Sequence, residues 1–179
     1  MTAADGLALA RAGLAPPIAA LALSGPDGRR WALPLFVAAA LTDAIDGPIA
    51  RRTGGATRRG ALLDATADKV LVVVVLGALA AARRAPWPAV GIIASRELAV
   101  GVLRARRTLA GSGLAPTGLA RLKTVAQCLA TAALLAAPLP GRRGRRLALG
   151  LLWGAVAVTV ASAVQYAARS PALRRAHGG

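Results

Sequence analysis

Long apolar stretches separated by short clusters of Gly, Pro, Ser and Arg set the layout of the chain. Between Arg146 and Arg169 no charge interrupts the run from Leu147 to Ala168, which as a helix is long enough to cross a hydrocarbon core of about 30 Å. Thr124 to Pro140 is a second uncharged stretch, and a helix start near Thr117 makes it long enough to cross with Arg121 and Lys123 inside it. A third run begins near Gly60 and continues through Val70 to Ala82, and Leu7–Leu23, Trp31–Ala50 and Trp87–Leu103 complete the set. Turn signals lie between these runs: Ser24-Gly25-Pro26-Asp27-Gly28, Thr53-Gly54-Gly55, Arg84-Ala85-Pro86, Gly111-Ser112-Gly113 and Pro140-Gly141. Arg11 and Pro16-Pro17 make the first run a surface helix leading into a kinked span. The pattern predicts an all-α fold, a polytopic integral membrane protein with six transmembrane helices. It reads as a single membrane-embedded domain over 1–179 that ends in a basic tail at 169–179.

Composition supports the membrane reading. Of 179 residues, 56% are hydrophobic and 17% charged, where soluble domains carry about 25% charge. Aromatics are 3%, so the apolar mass is Ala, Leu and Val, which suits close helix packing rather than a barrel with aromatic girdles. The formal net charge is +16 and the pI about 12.0. On a soluble chain this would point to nucleic acid; with so few stacking residues it points instead to loops facing anionic headgroups, with no nucleic-acid partner. Arg51, Arg52, Arg58, Arg59, Arg104, Arg106, Arg107, Arg121, Lys123, Arg169, Arg174 and Arg175, on the side of the termini, outnumber Arg29, Arg30, Arg83, Arg84, Arg142, Arg143, Arg145 and Arg146 on the other. That bias predicts cytoplasmic termini in a multi-pass cell-membrane protein. Trp31, Trp87 and Trp153 then fall near the opposite face. Cys128 stands alone and His177 lies in the tail, which excludes disulfides, a Cys-rich metal site and a His-based triad.

The acids carry the chemistry. Of seven, four crowd into residues 43–68: Asp43, Asp46, Asp64 and Asp68. At 100° per residue, Asp43 and Asp46 share an arc of one helix with Gly47 and Ala50, and Asp64 and Asp68 share an arc of the next with Gly60. Carboxylates facing one another repel unless cations neutralise them. All-oxygen ligation suits Mg²⁺ or Mn²⁺, whose shell a phosphate substrate completes. Two other readings use the same residues: an ion-pair lattice with the surrounding arginines, and the ion relay of a transporter.

Written out, the stretch is Asp43-x2-Asp46-Gly47-x2-Ala50-Arg51-x8-Gly60-x3-Asp64-x3-Asp68. It resembles the signature of the CDP-alcohol phosphatidyltransferase family. Ala94-Ser95-Arg96-Glu97-Leu98, Arg104 and Gly118-Leu119-Ala120-Arg121-Leu122-Lys123-Thr124-Val125-Ala126-Gln127 look like the later helices of the family's phosphatidylglycerophosphate synthases. The N-terminal segment departs from the pattern, with Ala4-Asp5 and Ala8 where such enzymes usually have Pro-Asn and Thr, while Arg11 matches.

The resemblance implies transfer of a phosphatidyl group from CDP-diacylglycerol to an alcohol, with release of CMP. On that reading Asp43, Asp46, Asp64 and Asp68 hold one or two Mg²⁺ or Mn²⁺ ions, and Asp43, Gly47, Ala50, Arg51 and Gly60 bind the CDP-lipid. Asp68 is the general base on the acceptor hydroxyl, and the active site lies at the cytoplasmic face. The expected acceptor is sn-glycerol 3-phosphate, whose phosphate Arg96, Arg104 and Lys123 would hold; headgroup anchoring, or pairing of Arg96 with Glu97, is the alternative for these cations. Other acceptors, as in cardiolipin or phosphatidylinositol phosphate synthesis, are the rival within the family. The family also implies a homodimer among membrane lipids.

Overall fold

The computed structural model describes residues 3–52, 58–109, 118–136 and 141–168, with side chains described at 10, 12–42, 69–103, 106, 118–136 and 143–168. The described residues form six helices and no strand: α1 (Ala3–Leu23), α2 (Gly25–Arg52), α3 (Arg58–Ala81), α4 (Trp87–Leu109), α5 (Gly118–Leu135) and α6 (Gly141–Ala168). Each apolar run of the sequence corresponds to one of them. Several helices extend beyond the apolar runs into the flanking charges: α2 begins at Gly25 rather than Trp31, α4 continues to Leu109, and α6 begins at Gly141. The expected loop at Ser24–Gly28 is in fact one residue, Ser24, followed by the first turn of α2. Pro26 and Asp27 suit that turn, since Pro needs no amide partner there and Asp faces the positive end of the helix dipole.

Gly28 explains how so short a connection closes. A Cβ there would run into the Leu21 carbonyl oxygen and Ser24 Cβ, so the start of α2 meets the end of α1 at a distance open only to glycine. At the α3–α4 turn the Arg84 amide donates to Leu79 O at 2.8 Å and the Arg83 amide to Ala80 O at 2.9 Å. This double bond pattern closes the helix end with Arg83 in the left-handed region, φ 56°. It also turns Arg84 back toward the bundle, where its Nε donates to Leu134 O at 3.2 Å near the end of α5.

The core repeats at helical spacing: Ala15, Ile18 and Ala22 on α1, Ala32, Phe36 and Ala39 on α2, Val72, Val75, Leu76 and Leu79 on α3, and Ala148, Leu152 and Ala155 on α6. Alanine at many of these positions lets helix axes approach closely. α1 packs on α2 and α3, α5 on α6, α2 and α3, and α4 on α3 and α6. Pro16 and Pro17 lie inside α1 with both rings exposed.

Only α6, over Arg143–Ala168 with a hydropathy of 2.1, is by itself long and apolar enough to cross a membrane among the described residues; Ala12–Leu23 and Lys69–Ala81 are apolar over shorter lengths. The six expected helices are present, but six spans are not shown by their length and hydropathy. Charges inside the other helices account for the difference, as with Arg96 and Glu97 in α4 and Arg121 and Lys123 in α5. Glu97 and Lys123 among them belong to an inverted distribution. On α5, Leu122, Val125 and Leu129 are exposed while Lys123, Gln127 and Thr131 are buried; on α6, Val160 and Val164 are exposed while Thr159 and Ser162 are buried. Leu98 is 71% exposed beside Glu97 at 3%. Hydroxyls bond back into their own helices, Thr42 to Ala38 O at 2.7 Å and Thr131 to Gln127 O at 2.8 Å.

Candidate functional site

Asp43 and Asp46 lie in the C-terminal part of α2, and Asp64 and Asp68 in the N-terminal part of α3. Two consecutive helix ends thus carry the four acids, joined through residues 53–57. The side chains of these acids lie outside the described residues, as do those of Gly47, Ala50, Arg51, Gly60 and Arg104. Among the described residues no group of three or more potential metal-ligating side chains occurs.

Of the candidate cations, Arg96 and Lys123 are described, and they come together. Glu97 Oε1 accepts from Lys123 Nζ at 2.5 Å, Arg96 Nη1 at 3.1 Å and Gln127 Nε2 at 3.3 Å. The network continues into α6, where Gln127 Nε2 donates to Thr159 Oγ1 at 2.9 Å and Arg96 Nη2 to Ser162 Oγ at 2.7 Å. Ser162 Oγ in turn donates to Thr159 O at 3.0 Å. Three helices are tied at one buried point; Glu97, Lys123, Gln127, Thr159 and Ser162 are all buried. Unpaired charge is costly in such a place, so each cation needs the carboxylate.

One carboxylate and two cations leave the cluster with an excess of one positive charge. Two polar atoms in it, Glu97 Oε2 and Arg96 Nε, are buried without a hydrogen-bond partner. Such a cluster can receive an anion that also bears hydroxyls. Lys69, the residue after Asp68, is near enough for its charge to bear on Lys123, consistent with α3 packing on α5.

The sequence pointed to Arg96 and Lys123 and to an Arg96–Glu97 pairing. It did not show that Glu97 serves Lys123 across α4 and α5, nor that Thr159 and Ser162 complete the network. Polar side chains isolated in an otherwise apolar run were the available signal for the last two.

A profile of the CDP-alcohol phosphatidyltransferase family matches residues 1–161. The chain is 37% identical over 140 residues to a Mycobacterium tuberculosis (strain H37Rv) protein named "Probable phosphatidylglycerophosphate synthase", covering 78% of this chain and 65% of that protein. It is 42% identical over 135 residues to the CDP-diacylglycerol--glycerol-3-phosphate 3-phosphatidyltransferase of Bacillus subtilis (strain 168), covering 74% and 69%. With the protein of that same name from Pectobacterium atrosepticum the identity is 39% over 137 residues, covering 74% of each chain. The match thus spans just under two thirds of the mycobacterial protein. With the profile running over all but the end of α6 and the basic tail, the chain belongs to the CDP-alcohol phosphatidyltransferase family.

Proposed function

We propose that the chain is a multi-pass membrane enzyme that transfers a phosphatidyl group from CDP-diacylglycerol to sn-glycerol 3-phosphate, giving phosphatidylglycerophosphate and CMP. The observation that carries the acceptor is the buried Arg96–Glu97–Lys123 cluster with its excess positive charge, near the residue that follows Asp68. The names of the relatives point to the same acceptor. The inverted distribution of polar and apolar side chains supports the membrane reading, because it suits helices whose outer faces meet lipid.

Family membership brings a divalent cation, and the donor set suits one. Asp43, Asp46, Asp64 and Asp68 are carboxylates only, carried on adjoining helix ends, and would hold Mg²⁺ or Mn²⁺, whose charge offsets that of the CDP diphosphate. Gly47, Ala50, Arg51 and Gly60 shape the nucleotide pocket. Arg96 and Lys123, with Arg104, hold the acceptor phosphate, Arg through paired N–H donors and Lys as a point charge. Asp68 takes the proton of the acceptor hydroxyl as the new O–P bond forms, and the bond from that phosphorus to the CMP oxygen breaks. The site faces the cytoplasm, 1–179 acts as one domain, and the enzyme works as a homodimer.

CMP release by the purified full chain, supplied with CDP-diacylglycerol, Mg²⁺ or Mn²⁺ and a panel of alcohols, tests this reading. Release with glycerol 3-phosphate is expected. Release with inositol phosphate or phosphatidylglycerol alone would overturn the acceptor, and release with none would overturn the activity.

A further inference from the structure

The start of α2 and the α3–α4 turn lie at the ends of their helices away from the aspartates, and the bond from Arg84 to Leu134 O brings the end of α5 to the same place. At 1.5 Å per residue, Arg29 lies roughly 20 Å along α2 from Asp43, and the end of α3 at Ala81 roughly 25 Å from Asp64. At these helix ends and in the α3–α4 turn the sequence places Arg29, Arg30, Arg83, Arg84, Arg142, Arg143, Arg145 and Arg146, and a single acid, Asp27. Asp27 sits 3.7 Å from Arg30, with both side chains largely exposed.

Arg29 is different. It is 9% exposed, and its Nε is buried without a hydrogen-bond partner. The tight α1–α2 junction at Gly28 fixes its position. Arg84 is directed to the same end by the left-handed turn at Arg83 and donates its Nε to Leu134 O, while no bond joins its Nη groups to another of the described residues. Burial lowers the Arg84 pKa from its ordinary value, and the charges of Arg29 and then Arg145 act in the same direction. The guanidiniums of Arg29 on α2 and Arg145 on α6 are thus near enough for their charges to bear on Arg84, and among the described residues no ion pair joins any of the three to a carboxylate. Holding like charges together while withdrawing one from water is unfavourable unless an anion enters.

We propose that Arg29, Arg84 and Arg145 form a binding site for one phosphate group, separate from the transfer site. Guanidinium forks match phosphate oxygens in pairs. Trp31 and Trp87, which follow Arg29 and Arg84 closely in sequence, are 70% and 60% exposed, as aromatic rings are at headgroup level. A phospholipid headgroup and free phosphate share this chemistry; the lipid source rests on the membrane reading above, while the site itself does not.

Thermal unfolding of the full chain in dodecyl maltoside, followed by tryptophan fluorescence, tests the site. Dioleoylphosphatidylglycerol, dioleoylglycerol and inorganic phosphate are titrated separately at constant ionic strength. A saturable rise in Tm of about 5 °C is expected with a phosphate-bearing ligand and not with dioleoylglycerol. A rise with phosphatidylglycerol alone identifies the lipid as the source, and an equal rise with inorganic phosphate identifies the free ion. Arg29→Gln should weaken the apparent affinity about tenfold, and Arg30→Gln should leave it unchanged. Arg145→Gln, at an exposed position, gives the same test if Arg29→Gln does not fold. No rise in the unsubstituted protein, or equal weakening by Arg30→Gln, overturns the site. A chain that stays soluble without detergent overturns the membrane reading and leaves the phosphate titration interpretable.

Discussion

Replacing Glu97 by Gln removes one charge from the most buried polar cluster and keeps nearly the same shape. Lys123 Nζ is 2.5 Å from Glu97 Oε1, and the two side chains are 6% and 3% exposed. Breaking such a pair by removing one partner costs about 3–5 kcal/mol, because the remaining charge is left buried. The amide oxygen of Gln still accepts a hydrogen bond worth about 1 kcal/mol. A net loss of roughly 3 kcal/mol follows, or a fall in Tm of about 6–12 °C for a chain of this size. Lys123→Met removes the cation and keeps the volume. The double variant Glu97→Gln/Lys123→Met should then lie within about 1 kcal/mol of Lys123→Met alone, a coupling of about 2 kcal/mol. Denaturation of all four proteins in the same detergent measures this. In CMP-release assays Lys123→Met should also raise KM for glycerol 3-phosphate about tenfold, with a smaller effect on kcat. Losses that add to within about 0.5 kcal/mol would show that α4 and α5 are not coupled through this pair.

Gly28→Ala should destabilise the protein by about 1–3 kcal/mol, since the added Cβ meets a backbone carbonyl that cannot turn aside; an unchanged melting curve would mean α1 and α2 are less tightly joined. Arg83→Gly relieves a left-handed backbone at φ 56° and should raise stability by about 1 kcal/mol, read as a small upward shift in Tm. Asp68→Asn should lower turnover by at least about a hundredfold while CDP-diacylglycerol binding, measured by equilibrium dialysis of the labelled nucleotide lipid, persists. Unchanged turnover would remove Asp68 as the base.

Helix number and order were legible in the sequence because long apolar runs alternate with short clusters of Gly, Pro and Arg, a local property of the chain. The family was legible for a similar reason: the spacing of Asp43, Asp46, Asp64 and Asp68 lies within two consecutive helices and needs no distant partner. Helix ends were less so. Polar residues such as Gly25–Arg30 and Gly141–Arg146 look like loops in a hydropathy pattern, yet at a helix end they extend the backbone ladder into a polar environment.

What only the tertiary structure decided is which polar groups meet. Nothing local links Glu97 to Lys123, Gln127 to Thr159, or Arg84 to the end of α5; those pairs depend on which helices pack together and at what height. A single arginine reads the same in sequence whether it anchors a headgroup, caps a neighbouring helix or waits for a phosphate. Its charge is fixed by its chemistry, but its partner is chosen by helices far apart in the chain.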